Sequence, residues 1–291
     1  MDIYYIDGQF VDEEHSCINA KDISILRGFG VFDFLITYNR RPFHLEEHVR
    51  RLRNSAKCIG LDIGQENSEI CAIVEQTVAK NPHHQDSGIR IVYTGGVSSD
   101  GVTPEGRGIL MVMVTPRHVL PEKYYTDGVK IITVDIERFI PDSKSTCYLP
   151  AVYAQQLAKK EGAVEAVHVD RQNRILEGTT SNCFFFKKNR LITAHRDILP
   201  GITRGVILEL ARDLYEIETR DIDRAELPDM DEVFITASNK EVLPVVRVND
   251  LRIGDGCVGP GTRKIMQLFR AYTTAYGQGD VGRKDLRMPF H

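Results

Sequence analysis

The chain has 291 residues, of which 42% are hydrophobic and 27% charged, with a formal net charge of −4 at pH 7. This composition is typical of a globular protein long enough to bury two hydrophobic cores, and it provides no basic surface for nucleic acid. No apolar run approaches the length of a transmembrane helix, and the first residues, MDIYYIDGQF, lack the features of a signal peptide. We therefore expect a cytoplasmic protein with no nucleic-acid or membrane partner.

The six cysteines are scattered along the chain and include no CxxC pair. In a chain of this size, such spacing predicts reduced thiols rather than a disulfide framework or a zinc site. The sequence gives no reason to expect a metal.

Short strands and two helices are predicted in the first part of the chain. Apolar runs flank Asp7-Gly8 and again Asn39-Arg40, which predicts two hairpins. Apolar residues spaced three and four apart predict amphipathic helices over residues 45–59 and 70–78. The runs IRIVYT and ILMVMV predict buried strands. Together these elements predict an N-terminal domain over residues 1–116.

A proline-containing linker over residues 117–127 is predicted to lead into a second domain over residues 128–276. There VKIITV, AVHVD, RILE, CFFF, RLIT and EVFITAS predict strands, and helices are predicted over residues 151–161, 203–215 and 262–272. Residues 277–291 are polar and predicted to be disordered. Strands outnumber helices without regular βαβ alternation, which favours two α+β domains over a doubly wound sheet.

Three polar segments of the second domain carry the chemistry. Lys144 lies in PDSKSTCYL, Glu177 lies in ILEGTTSN, and Gly201, Ile202 and Thr203 form a glycine turn that leads into a helix. The lysine is a reactive amine, the carboxylate can keep a pyridine nitrogen protonated, and a helix start binds phosphate. This combination predicts a site for pyridoxal 5′-phosphate.

In this order, these segments resemble the fold-class IV pyridoxal-phosphate enzymes, which include branched-chain aminotransferases, D-amino-acid aminotransferases and aminodeoxychorismate lyase. The resemblance runs from about Tyr4 to about Tyr272. It implies a two-domain α+β fold with the cofactor between the domains. It also implies that Lys144 binds the cofactor covalently and then moves the substrate α-proton, while Glu177 faces the pyridine nitrogen.

Further cofactor contacts are implied by the same resemblance. Arg51 matches the arginine of an H-x-x-R-L pattern that pairs with the phosphate, and Tyr148 matches the tyrosine that binds the cofactor 3-oxygen. The spacing from Lys144 to Tyr148 is one residue shorter than in branched-chain enzymes. The remaining residues implied to contact the cofactor are Thr180, Ser181 and Asn182 along its face and Ser238 and Asn239 in a second phosphate turn.

Four residues are predicted to bind substrate: Arg27, Phe32, Arg90 and Lys240. Arg27 stands where branched-chain enzymes carry a tyrosine that reaches the neighbouring subunit's site, which implies a homodimer. Arg90 interrupts the apolar run IRIVY, and a buried guanidinium without a partner is costly, so we expect it to face a ligand.

Two glycines distinguish this chain within the family it resembles. Gly88 replaces a tyrosine of the branched-chain enzymes, and Gly95 replaces the carboxylate-binding arginine of the usual D-amino-acid enzymes. The segments SILRGFG and GIRIVYTGG resemble a less common group of D-amino-acid transaminases that hold the carboxylate with arginines such as Arg27 and Arg90.

The sequence therefore predicts a homodimeric aminotransferase that exchanges an amino group between an amino acid and a 2-oxo acid such as 2-oxoglutarate or pyruvate. D-amino acids are the first expectation for the substrate and branched-chain L-amino acids the second. Aminodeoxychorismate lyase, which shares the cofactor but eliminates pyruvate, is a further alternative.

Overall fold

The computed structural model describes residues 1–106 and 108–280. Their strands form a six-stranded sheet from the first part of the chain and a nine-stranded sheet from the second. The strands of the first sheet are β1 (Ile3–Ile6), β2 (Gln9–Asp12), β3 (Gly30–Tyr38), β4 (Arg41–Pro42), β5 (Ser87–Thr94) and β6 (Leu110–Pro116), in the order β2-β1-β6-β5-β3-β4. The helices in this part are α1 (Ile23–Arg27), α2 (Leu45–Cys58) and α3 (Asn67–Lys80).

Both predicted hairpins are present. Asp7 and Gly8 have φ angles of 42° and 96°, and Asn39 and Arg40 have φ angles of 50° and 62°. Two-residue turns with positive φ at both positions match the twist of the flanking strands. Helices α2 and α3 bury their apolar faces against this sheet in one cluster, which includes Leu35, Val49, Leu52, Ile70, Val74 and Ile89.

The second sheet contains β7 (Val129–Val134), β8 (Glu165–Val169), β9 (Ile175–Gly178), β10 (Asn182–Lys187), β11 (Arg190–Thr193), β12 (Glu216–Thr219), β13 (Glu232–Ala237), β14 (Glu241–Val248) and β15 (Leu251–Arg252). Its order is β12-β11-β10-β13-β14-β7-β8-β9, with β15 against β14. Strand β9 also pairs with β10 through Glu177 and Asn182. The sheet therefore closes on itself at two of the predicted site residues.

The helices of the second part are α4 (Lys123–Thr126), α5 (Leu149–Lys160), α6 (Ile202–Ala211) and α7 (Pro260–Gln278). Helix α4 lies within the predicted linker, and α6 ends four residues before the predicted boundary at residue 215. Strands β12, β14 and β15 were not predicted. Strand β12 pairs with β11 across helix α6, whereas β14 and β15 each pair with the strand just before them in the chain.

The predicted disordered tail is wrong for its first two residues. Gly277 and Gln278 belong to α7, and Gly279 caps the end of this helix with a φ of 85°. Residues 281–291 of that prediction lie outside the described residues. Helix α7 is longer than predicted because its C-terminal end packs on the first sheet: the Tyr276 hydroxyl donates to Pro42 O at 3.0 Å.

One hydrophobic cluster joins the two parts of the molecule. It includes Ile36 and Phe43 from the first part, and Phe184, Phe234 and Phe269 from the second. Burial of large aromatic side chains on both sides stabilises a fixed arrangement of the two sheets. None of the helices within residues 1–106 and 108–280 combines the length and apolarity needed to cross a bilayer.

Candidate active site

A cavity between the two sheets gathers most of the predicted site residues. Those that line it are Phe32, Arg51, Arg90, Lys144, Tyr148, Glu177, Thr180, Ser181, Asn182, Gly201, Ile202, Thr203, Ser238 and Asn239. Arg27 and Lys240 are not among the lining residues. Arg138 and Phe34 line the cavity as well and were not predicted.

Lys144 lies in the loop between β7 and α5, and this loop is attached to the first sheet. Its carbonyl accepts from Phe32 N at 2.9 Å, and its own N–H donates to Ser55 Oγ at 3.0 Å. These contacts direct the side chain into the cavity, where Nζ lies 4.8 Å from the centroid of the Phe32 ring. The lysine is therefore held by the first sheet although it belongs to the second part of the chain.

The surroundings of Lys144 favour the neutral amine. Burial lowers the pKa of its ammonium group to about 7, and the Arg51 guanidinium acts in the same direction, against the nearby carboxylate of Asp33. The neutral amine is the nucleophilic form, so the site activates this lysine near physiological pH.

Glu177 is buried at the end of β9 and is held from three sides. Its Oε2 accepts from Leu199 N at 2.9 Å and from Asn182 Nδ2 at 3.3 Å, and its Oε1 accepts from Arg138 Nη1 at 2.5 Å. Charge-assisted hydrogen bonds are stronger than neutral ones and hold a carboxylate in a fixed direction. This is the property required of an anion that must stabilise a pyridinium.

Arg138 is a site residue that sequence reasoning missed. Besides Glu177, its guanidinium donates to Pro141 O at 3.0 Å and to Ser143 O, which fixes the loop that carries Lys144. The local sequence IERFIPDSK offers no signal for this role, because an arginine among polar residues is usually solvated.

Arg51 is 4% exposed on α2 and forms a two-point ion pair with Asp33. Its Nε donates to Asp33 Oδ2 at 2.9 Å and its Nη2 to Oδ1 at 2.8 Å, while Nη1 reaches Pro200 O at 3.2 Å. Burial opposes ionisation of Asp33, but Arg51 and His48 hold the pKa of this carboxyl well below its usual range. Asp33 was also missed, although a charged residue inside the apolar run GVFDFLITY was a signal.

The start of α6 provides the anion cradle. Gly201 is the N-cap residue, no side chain caps the helix, and its first turn contains no acidic residue. The first N–H groups of a helix have no intrahelical partner and attract anions. A Cβ on Gly201 would lie 2.0 Å from Asn182 Oδ1. Only glycine allows this close approach of the turn to the strand that carries Asn182.

Three of the predicted site residues bind another carboxylate, that of Glu165, which is 1% exposed. Thr180 Oγ1 donates to Glu165 Oε1 at 2.9 Å and Ser181 Oγ donates to Oε2 at 3.0 Å. Lys240 Nζ lies 3.3 Å from Oε2 and also donates to Thr180. Glu165 therefore neutralises the charge of Lys240, and neither residue lines the cavity. Lys240 thus has an ionic partner within the protein and does not need a ligand to provide one.

Tyr148 precedes α5, and its hydroxyl lies 3.4 Å from Thr179 O. Its ring meets that of Phe32 edge to face, with centroids 5.3 Å apart. Ser238 donates to Phe34 O at 3.2 Å, so the turn between β13 and β14 is tied to β3. These contacts join both sheets around the cavity.

Arg90 projects from β5 as an exposed side chain, so the expectation of a buried guanidinium is wrong, although the residue does line the cavity. Its Cζ lies 5.5 Å from the Phe32 ring centroid and 5.8 Å from that of Phe34. Arg27 is exposed at the end of α1, and its Nη1 donates to Leu26 O at 2.8 Å.

The residues present fit pyridoxal phosphate. Gly201 leaves room at an uncapped helix start for a phosphate, Arg51 adds a cation there, and Glu177 and Lys144 supply the anion and the amine. With two mixed α and β parts around one cavity, they define a pyridoxal-phosphate enzyme.

Comparison with known proteins gives the family. Residues 30–248 match the model of amino-transferase class IV. The chain belongs to this family: it is a class IV aminotransferase, its cofactor is pyridoxal 5′-phosphate, and its substrates are amino acids and 2-oxo acids.

Similar proteins include enzymes named for two substrate classes. A Methanocaldococcus jannaschii protein provisionally named branched-chain-amino-acid aminotransferase is 33% identical over 94% of this chain and 97% of its own length. The D-alanine aminotransferase of Staphylococcus haemolyticus is 31% identical over 92% and 96%. The branched-chain amino acid aminotransferase structure from Escherichia coli matches 98% of this chain and 97% of its own, with a TM-score of 0.89 and 26% identity.

Proposed function

We propose that this aminotransferase exchanges amino groups between D-amino acids, such as D-alanine or D-glutamate, and a 2-oxo acid such as 2-oxoglutarate or pyruvate. The observation that carries the proposal is Arg90. Its guanidinium lies against two aromatic rings of the cavity and has no carboxylate partner among the described residues. An unpaired guanidinium in a cavity is suited to a substrate carboxylate, which it binds with two parallel hydrogen bonds.

The surroundings of Gly95 support this assignment of the carboxylate to Arg90. A Cβ on Gly95 would lie 2.5 Å from Phe29 O and 2.6 Å from Ile23 Cγ1, so this backbone excludes any side chain. The arginine that the usual D-amino-acid enzymes carry here has no room. Carboxylate binding then falls to other cations, and the segments containing Arg27 and Arg90 resemble the D-amino-acid transaminases that use such arginines.

We assign the chemical steps to three residues. When bound, pyridoxal phosphate withdraws electrons from the substrate α-carbon and so makes its proton removable. Lys144, with its lowered pKa, anchors the cofactor through Nζ and moves that proton. Glu177 holds the ring nitrogen in its protonated form, and Arg51 pairs with the phosphate beside the start of α6.

We further propose a homodimer in which Arg27 of one subunit reaches the cavity of the other. Arg27 does not line the cavity of its own chain. It follows Ile25 and Leu26, which are 54% and 42% exposed. Exposed apolar side chains next to a functional cation are typical of an interface between subunits.

A branched-chain L-amino-acid aminotransferase is the second candidate. The names of the Methanocaldococcus jannaschii relative and the Escherichia coli structure favour it. The rings of Phe32 and Phe34 also give the cavity an apolar wall that suits an aliphatic side chain.

The experiment that separates these candidates is a half-reaction screen of the holoenzyme. Purified enzyme is mixed separately with D-alanine, D-glutamate, L-leucine and L-valine, and the absorbance of the lysine-bound cofactor is followed as it converts to pyridoxamine phosphate. Conversion by D-amino acids alone supports the proposal. Conversion by L-leucine and L-valine alone assigns the branched-chain activity, and pyruvate release from aminodeoxychorismate without conversion assigns the lyase.

A further inference from the structure

A cluster of metal-ligating side chains lies away from the cavity, beside the start of β1. One carboxylate oxygen of Asp2 and the Nε2 atoms of His83 and His84 lie within 4.8 Å of one another. Asp2 Oδ1 is 2.9 Å from His83 Nε2 and 2.8 Å from His84 Nε2. We propose that these three side chains bind a divalent transition-metal ion, with Zn²⁺ as the best match.

The two histidines are neighbours in sequence, yet their rings converge on one oxygen. Their centroids are 4.2 Å apart with an interplanar angle of 53°. Zinc bonds to nitrogen and oxygen are about 2.0–2.2 Å long, so tetrahedral ligand atoms are roughly 3.3–3.5 Å apart. The two separations between Asp2 and the histidines need to widen by only about half an ångström to admit an ion at such bond lengths.

Asp2 is positioned by a buried asparagine at the end of α3. Asn81, which is fully buried, accepts from Ile3 N at 2.8 Å and donates to Ile3 O, also at 2.8 Å. Its amide donates to Thr77 O at 2.8 Å as well. Both backbone groups of Ile3, the residue after Asp2, are therefore hydrogen-bonded to the residue that follows α3. The loop that carries His83 and His84, residues 82–86, comes next in the chain and is called the histidine loop here.

The Arg40 guanidinium helps to hold the histidine loop. Arg40 Nη1 donates to His84 O at 2.8 Å and to Pro82 O at 3.1 Å, and Nη2 donates to Val78 O at 3.3 Å. With both halves of the cluster fixed by hydrogen bonds, binding an ion requires little ordering of the chain. Preorganisation of this kind reduces the free-energy cost of binding.

The ligand set favours a transition-metal ion. Imidazole nitrogen suits Zn²⁺, Cu²⁺ and Ni²⁺, whereas Mg²⁺ and Ca²⁺ prefer oxygen ligands throughout. Three protein ligands leave one tetrahedral position for water, on the side of His83, whose side chain is 46% exposed. None of the three residues lines the cavity, so the ion would tie β1 to the loop before β5 without entering the amine exchange.

The test is zinc binding to chelator-treated holoenzyme by isothermal titration calorimetry, with the melting temperature measured at rising Zn²⁺ concentration. We expect one ion per chain and a melting temperature that rises with zinc, because a ligand of the folded state stabilises it by mass action. His83→Gln and Asp2→Asn should weaken binding at least about tenfold, or ~1.4 kcal/mol. Transaminase activity should stay unchanged in both variants.

His15→Gln is the matched control, since His15 Nδ1 lies 2.5 Å from Asp12 Oδ1 in an exposed pair with only one carboxylate. It should bind zinc as the parent does. Equal affinity in the parent and in His83→Gln would overturn the proposal, as would the absence of saturable one-to-one binding. Zinc-edge X-ray absorption dominated by sulfur ligands would place the ion on the cysteines and overturn it as well.

Discussion

Arg138 Nη1 donates to Glu177 Oε1 at 2.5 Å, and this contact links the predicted ring-nitrogen carboxylate to the loop that carries Lys144. Through its second terminal nitrogen, the same guanidinium holds Ser143 O, one residue before the lysine. One side chain thus fixes the direction of the anion and the position of the amine.

The first prediction concerns Arg138. Replacing it with Met removes a cation that lowers the pKa of Lys144, so that pKa should rise and the pH profile of the half-reaction should move to higher pH. The rate of the half-reaction should fall tenfold or more, because Glu177 loses a charge-assisted hydrogen bond, which typically contributes about 1.5–3 kcal/mol. Arg171→Met, an exposed arginine 3.8 Å from Glu137, is the control. An unchanged pH profile would show that Arg138 does not lower the pKa of Lys144, and an unchanged rate would show that it does not act through Glu177.

The second prediction concerns the titration of Lys144 in cofactor-free enzyme. Attachment of pyridoxal phosphate should accelerate as pH rises through about 7, where the amine loses its proton, and should be about tenfold slower for each pH unit below. Absorbance of the lysine-bound cofactor after rapid mixing measures this rate. A profile with its midpoint near 10 would mean that the amine is not activated.

The same lowered pKa has a consequence for stability. Between pH about 7 and 10.5, the unfolded chain binds a proton at Lys144 that the folded cofactor-free chain does not, so stability should rise with pH across this window. Lys144→Met should remove that rise and should be more stable than the parent below pH 7. Urea unfolding of both proteins at several pH values would show it, and parallel curves would contradict it.

The third prediction concerns Gly201. Alanine there would bring a Cβ to 2.0 Å from Asn182 Oδ1 and force the phosphate turn away from β10. We expect pyridoxal phosphate to bind about tenfold more weakly or worse, a loss of ~1.4 kcal/mol or more. Gly64→Ala is the control, because a Cβ at Gly64 would meet no atom within 4 Å. Equal cofactor affinity in Gly201→Ala and the parent would show that this turn does not bind the phosphate.

The fourth prediction concerns Asp33. In Asp33→Asn, the buried Arg51 loses its ionised partner, and breaking a buried pair typically costs about 3–5 kcal/mol of stability. The loss should be smaller in holoenzyme, where the phosphate supplies a replacement anion. Thermal unfolding with and without cofactor measures the loss of stability in each form. Equal losses in the two forms would show that Arg51 does not bind the phosphate.

Because the pKa of Asp33 is lowered on folding, its contribution to stability is present above the ordinary value of 3.8 and lost as pH falls below it. The variant should therefore lose less stability on acidification than the parent. Asp250→Asn, at an exposed position, should follow the parent.

The fifth prediction concerns the two candidate carboxylate-binding arginines. Arg90→Ala and Arg27→Ala should each raise the KM for amino donors and 2-oxoglutarate tenfold or more, while the absorbance of the lysine-bound cofactor stays the same. Arg190→Ala, which removes an exposed arginine paired with Glu218 at 3.0 Å, should leave KM unchanged.

Subunit mixing separates the two roles. If Arg27 acts in the neighbouring site, a heterodimer of Arg27→Ala and Lys144→Ala subunits has both lesions in one site and an intact second site. Activity should then be partly restored. Heterodimers that form but recover no activity would contradict the proposed action across the interface.

The sequence by itself determined the family, and it predicts the principal chemical groups. Lys144, Glu177 and the turn at Gly201 lie in short motifs whose residue types and spacing carry the chemistry locally, and the hairpins at Asp7 and Asn39 follow from turn residues that tolerate positive φ. Such features depend on near neighbours in the chain. The structure has both hairpins at the predicted positions and places Lys144, Glu177 and Gly201 on one cavity.

Only the tertiary structure decided which charges meet. Arg138 reaches Glu177 across 39 residues, and Lys240 reaches Glu165 across a still longer stretch of the chain. No periodicity encodes such pairs, because the closure of β9 on β10 and the seating of the lysine loop on β3 bring them together. Local patterns specify elements, but burial and long-range pairing determine which side chains are ligand-facing and which are already neutralised.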